Sequence, residues 1–112
     1  MEVVRPCIIW MDRRAEALCD RLKNTVDEQR LFQITENGID SHFGFAKMIW
    51  IKENEPENWK RISLFLTPNQ YVAYHLTGEI AIDRTSAGNL GGIFDYERND
   101  WSDEMLELLG IP

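Results

Sequence analysis

Thr67-Pro68-Asn69-Gln70-Tyr71-Val72-Ala73-Tyr74-His75-Leu76-Thr77-Gly78-Glu79 carries its own start and stop signals. Pro68 fits the first turn of a helix, where its missing N–H costs nothing. Tyr71, Val72, Tyr74 and His75 follow at helical spacing, and Gly78 closes the element. The stretch before it, Leu64-Phe65-Leu66-Thr67, reads as a strand, and Ile80-Ala81-Ile82 after it as a short extended piece.

Working outward, the same punctuation recurs. Ser102 is an N-cap with Asp103 and Glu104 on the positive end of its helix, Trp101 is placed to staple onto Leu106, and Gly110 and Pro112 stop the element. A helix is predicted from Asp27 to Asn37-Gly38, with Leu31, Phe32 and Ile34 apolar and Gly38 as its stop. From Phe45 the residues Met48, Ile49, Trp50 and Ile51 form a strongly apolar helix running into the acidic stretch Glu53–Glu57, where Pro56 opens a short helix through Trp59. Asp83 to Asn89 reads as a loop or a short helical turn, broken by Gly91-Gly92.

Near the start, Cys7-Ile8-Ile9-Trp10-Met11 reads as a buried strand bounded by Pro6 and Asp12. Asp12 is then the N-cap of a helix carrying Ala15, Leu18, Cys19 and Leu22 on its apolar face. A strand-to-helix junction of this kind is a natural place for a site. The fold class is α+β, mainly helical with two or three short strands, and residues 1–112 read as a single domain.

The 112 residues are 44% hydrophobic and 11% aromatic, enough for one core without metal or disulfide staples. Cys7 and Cys19 are predicted to be buried free thiols, since their spacing makes no metal pair and no second CxxC element exists. The net charge of −7, with lysines and arginines scattered, argues against nucleic acid. No apolar run of about 18 residues is available to cross a membrane, and Met1–Pro6 is too short and charged for a signal peptide, so a cytoplasmic location is expected.

No GxxxxGK[ST], GxGxxG, GxSxG or HExxH motif occurs, so the chain is not expected to bind ATP alone or to act as a hydrolase. A longer pattern does occur. Ile8-Ile9-Trp10-Met11-Asp12-Arg13-Arg14 resembles the W-x-D-x-R segment of FGGY-family carbohydrate kinases, and Lys47-Met48-Ile49-Trp50-Ile51-Lys52-Glu53-Asn54 resembles their K-x-x-W helix. Thr67 to Glu79, Asp83, and Phe94-Asp95-Tyr96-Glu97-Arg98-Asn99-Asp100-Trp101-Ser102 are similar to the family's P-x-x-Y-x-x-x-x-L-T-G-E, D-x-(S/T)-x-A and F-D-x-x-x-x-D-W-S runs. Gly44 departs from the Pro, Ser or Thr usual at its position.

The resemblance implies part of a ribonuclease H-like, actin-like ATPase lobe, the N-terminal lobe of a kinase that phosphorylates a small sugar or polyol with ATP and Mg²⁺. The phosphate loop, the catalytic aspartate and the second lobe lie outside the matched region, so this piece alone is expected to bind neither cofactor and to be inactive. The alternative is a non-catalytic, stand-alone interaction module derived from a truncated kinase. In either case uncovered apolar surface suggests a homodimer or a swapped oligomer.

Three residues are the substrate-binding candidates. Trp10 resembles the tryptophan that packs on the carbon face of the acceptor, a suitable partner because polyol C–H groups stack on a flat ring; the competing role is core. Asp12 has oxygens for acceptor hydroxyls, although helix capping alone would explain it. His42 falls where glycerol-kinase members place a sugar-contacting tyrosine, and an imidazole both donates to and accepts from hydroxyls; otherwise it is a solvated loop histidine. Arg14 reads as an ion-pair buttress, Lys47 as a surface charge or a residue that orients the preceding loop, and His75 as structural. The acidic run from Asp95 to Glu107 reads as a solvated face, without calcium-loop spacing.

Overall fold

Helix α3 (Gly44–Asn54) is the element around which the chain is organised. Phe45 and Ala46 have no exposed surface, and Met48, Ile49 and Ile51 are buried beside them. The computed structural model describes residues Met1–Pro112. Before α3 come α1 (Glu16–Thr25) and α2 (Glu28–Thr35). After it come α4 (Pro56–Trp59), α5 (Pro68–Thr77), α6 (Arg84–Gly88), a hairpin of β1 (Phe94–Asp95) and β2 (Asp100–Trp101), and α7 (Asp103–Leu109).

A single hydrophobic cluster joins α1, α2, α3 and α7. Leu18 and Cys19 come from α1, Leu31 and Ile34 from α2, Phe45 and Ile49 from α3, and Met105 and Leu109 from α7. Complete burial of a ring such as Phe45 contributes about 1.5–3 kcal/mol by transfer alone, so truncating it to alanine would cost about 3–5 kcal/mol once the cavity is counted. The start of α3 has no side-chain cap; Phe45 N instead donates to Leu90 O at 2.8 Å. A Cβ at Gly44 would press on the tip of the Leu90 side chain in the same place.

Several elements form as their local signals dictate. Asp27 caps α2 by accepting from Arg30 N, Asp83 caps α6 by accepting from Ser86 N, and Ser102 caps α7 by accepting from Met105 N. At α5, Gln70 Oε1 accepts from Thr67 N at 2.8 Å, and Gly78 ends the helix at φ 77°. The hairpin is antiparallel, with Phe94 opposite Trp101 and Asp95 opposite Asp100. Asp95 Oδ1 accepts from Arg98 N at 2.8 Å inside its turn.

Other expectations are corrected. Cys7–Met11 and Leu64–Thr67 form no strands, because neither has a neighbour to share a ladder with; the paired strands are the two in the hairpin. Helix α1 starts at Glu16 with Ala15 as its N-cap, since the Asp12 carboxylate is taken by Arg14 rather than by helix N–H groups. Helix α2 stops at Glu36, which takes the left-handed conformation at φ 54°, before Gly38 is reached. Phe32 is exposed, and Cys7 is exposed while Cys19 is buried. Trp101 packs edge-on against Phe94, with ring centroids 5.6 Å apart.

Candidate functional site

Ile9 to Asp12 form a tight turn closed by Asp12 N donating to Ile9 O at 3.1 Å. Trp10 and Met11 are its corner residues, and a turn corner projects side chains outward. Trp10 is 72% exposed and takes no part in the hydrophobic cluster of these residues. An open depression of about 400 Å³ lies here, lined by Trp10, Met11, Arg13 and His42. Two of the sequence-predicted residues, Trp10 and His42, therefore meet on one concave surface.

Asp12 does not line it. Its Oδ1 accepts from Arg14 N and Arg14 Nε, both at 2.9 Å, and its Oδ2 accepts from Arg14 Nη2 at 2.8 Å. Those bonds pull the Asp12 carboxyl from its ordinary 3.8 down to about 2. The Arg14 guanidinium also lies 4.9 Å above the Trp50 ring, so it links the turn to α3 through an ion pair and a cation–π contact. This is the buttress its sequence position suggested.

His42 belongs to a short loop ahead of α3. Its ring Nδ1 is 2.7 Å from Asp40 Oδ1, the same oxygen that accepts from His42 N at 2.9 Å. The hydrogen bond from the backbone N–H, then that from the ring, holds the Asp40 carboxyl below its usual range. The ring also packs on Phe43, with centroids 4.0 Å apart.

Beneath the loop lies Lys47, buried rather than on the surface. Its Nζ donates to Ser41 O at 2.6 Å and His42 O at 3.0 Å. Burial pushes its pKa down, with the nearby Asp12 and Asp40 charges pulling the other way. Ser41 is buried beside it, and its hydroxyl oxygen has no hydrogen-bond partner.

The sequence reading passed over Asp40, Arg13 and Met11. Asp40 had a usable signal: an aspartate two residues before a histidine is positioned to accept from that residue's backbone N–H. Arg13 has an ion pair with Glu16 at 2.9 Å and no pattern that singled it out. His75 is exposed on α5 and edge-on to Tyr71 and Tyr74, at 4.5 and 5.5 Å. A smaller depression of about 150 Å³ near Arg84 and Trp101 contains none of the predicted residues, and Arg84 is occupied with Tyr96 O at 2.6 Å.

The fold is that of sugar kinases with the actin-like ATPase architecture. The crystal structure of xylulose kinase from Rhodospirillum rubrum superimposes with a TM-score of 0.89 and 30% identity, covering 99% of this chain and 23% of that one. A Plasmodium falciparum glycerol kinase with ADP superimposes at 0.86 over 97% of this chain and 23% of its own, a likeness of fold at 21% identity. The chain belongs to the FGGY family of carbohydrate kinases, whose N-terminal domain model matches residues 1–112. The xylulose kinase of Staphylococcus xylosus is 33% identical over 96% of this chain. The chain spans about a fifth of the length of the curated relatives it matches, 22% in that case. No helix is long and apolar enough to cross a membrane.

Proposed function

We propose that residues 1–112 form a single unit that shapes the acceptor pocket of an ATP-dependent carbohydrate kinase, which transfers the γ-phosphoryl of ATP to a hydroxyl of a small sugar or polyol. The observation that carries the reading is the depression shared by Trp10 and His42 in a chain of this family. Trp10 offers an apolar face for C–H groups, while His42 and Arg13 offer polar groups for hydroxyls. Asp12 takes part through Arg14, which ties the turn bearing Trp10 to α3, rather than through a free oxygen.

Such transfer depends on positioning and charge stabilisation, with the acceptor oxygen in line with phosphorus. This chain's share is to hold the acceptor. No group of three or more His, Cys, Asp or Glu side chains is arranged to hold a metal ion, and no glycine loop cradles phosphate. In this reading the groups that hold ATP and Mg²⁺ lie elsewhere in a longer polypeptide, and no chemical step is assigned to them here.

A coupled assay of ATP consumption with a panel of pentoses, hexoses and polyols tests the reading. The complete polypeptide should turn over at least one of them and the 112-residue chain none. Turnover by the short chain, or none by the complete polypeptide, would overturn it.

A second reading, a self-associating module, has one observation in its favour. Val72 and Leu76 on α5, with Ile80 just beyond, are 57%, 81% and 53% exposed. Exposed apolar residues grouped in this way mark contact surfaces.

A further inference from the structure

We propose that Asp40 is a positioning residue that fixes His42 as its Nδ1–H tautomer, leaving Nε2 as a hydrogen-bond acceptor for a hydroxyl of the bound sugar. The inference deepens the kinase reading and rests on it for the identity of the ligand. The tautomer itself follows from geometry alone. Asp40 Oδ1 already accepts from His42 N, and an ionised carboxylate has no proton to give, so at 2.7 Å the hydrogen between it and the ring sits on Nδ1. The other nitrogen of a neutral imidazole is then an acceptor.

The ring is held on several sides. Asp40 anchors its Nδ1 edge, Phe43 packs against it at a centroid distance of 4.0 Å, and Lys47 Nζ grips the residue's own carbonyl at 3.0 Å. A side chain ordered in advance loses little freedom when a ligand arrives. Half of the His42 side chain remains exposed, and it lines the depression with Trp10 and Arg13.

The chemistry on this surface is complementary to a polyol. A hydroxyl donates once and accepts twice. Nε2 accepts a hydrogen bond from it, while the Arg13 guanidinium, only one N–H of which is bonded to Glu16, donates to its oxygen. Trp10 supplies the stacking face. A tyrosine at the position of His42 would place a hydroxyl there, whereas a neutral imidazole held by Asp40 presents only an acceptor. The favoured substrates are therefore those with a free hydroxyl at this point, and replacing that hydroxyl by fluorine, which cannot donate, weakens binding.

Nitrogen-15 NMR of the labelled chain, at a pH well above the imidazole range, reads the tautomer directly. The wild type and Asp40→Asn should carry the His42 proton on Nδ1, because an amide oxygen still accepts from it. Asp40→Ala should move the proton to Nε2, the ordinary preference of an isolated ring. A wild-type proton on Nε2 overturns the positioning role and leaves the kinase reading intact.

In the complete kinase, Asp40→Ala should raise KM for the sugar about tenfold, the worth of one such hydrogen bond, with KM for ATP unchanged and Asp40→Asn close to wild type. An unchanged sugar KM overturns the ligand half of the inference. A complete polypeptide that consumes no ATP with any sugar overturns the kinase reading and that same half, while the tautomer still stands or falls on the spectrum.

Discussion

The Lys47 ammonium donates to the carbonyl oxygen of Ser41 at 2.6 Å and is almost wholly enclosed by the protein. No carboxylate lies within ion-pair distance of it; its partners are backbone carbonyls. Lys47→Met should therefore have two opposed effects. It leaves the carbonyls of Ser41 and His42 unpaired, at about 1–3 kcal/mol, and it removes a buried charge whose desolvation was costly. We expect a net loss of about 1 kcal/mol in urea denaturation. The largest amide shifts should fall at residues 41–43. Shifts spread evenly over α3 would argue against a local role.

Asp12 gives a pH dependence of defined sign. Its pKa is depressed in the fold to about 2, so the Arg14 pair contributes stability that is fully present above the unfolded value of about 3.9 and is lost as pH falls toward 2. Melting temperature followed from pH 5 downward should drop less steeply in Asp12→Asn than in the wild type. Parallel curves would mean that the pair is not formed.

Gly91 should tolerate no side chain. It lies at φ 82°, and a Cβ would sit 2.8 Å from Phe43 Cβ and 2.9 Å from Phe45 Cδ1. Left-handed strain and overpacking together should cost Gly91→Ala at least about 2 kcal/mol. Because Phe43 supports the His42 ring, the variant should also broaden the His42 resonances. Wild-type melting in Gly91→Ala would contradict this packing.

Ser102→Ala tests a cap read from sequence. Its hydroxyl accepts from Met105 N at 3.3 Å in a buried position. Removal should cost about 1 kcal/mol by chemical denaturation. A loss below a few tenths would show that water replaces the cap.

Self-association should pass through α5. Light scattering of the short chain at rising concentration should show a species larger than a monomer, and Leu76→Asp should restore the monomer without lowering the melting temperature, since Leu76 is 81% exposed. A strict monomer at every concentration would remove the second reading.

Much of the helical framework was legible because caps and stops act over a single turn. Asp27, Ser102, Gly78 and Gly110 each do in the structure what their residue type dictates locally. The boundaries that failed did so through competition. Asp12 was a sound N-cap by type, but Arg14, two residues on, presented a planar fork that outbid the helix N–H groups. Glu36 ended α2 before Gly38 had a chance to.

The sequence by itself determined the family and most of the helices, with the caps of α2, α6 and α7, since each is written in residue types at short spacing or in motif order. Tertiary structure alone decided that Trp10 and His42 share a surface, that Lys47 is buried, and that the apolar runs at Cys7, Leu64 and Ile80 remain unpaired. A strand exists only when a neighbour completes its hydrogen bonds, and a charge is buried only where packing encloses it. Both conditions depend on groups far away along the chain.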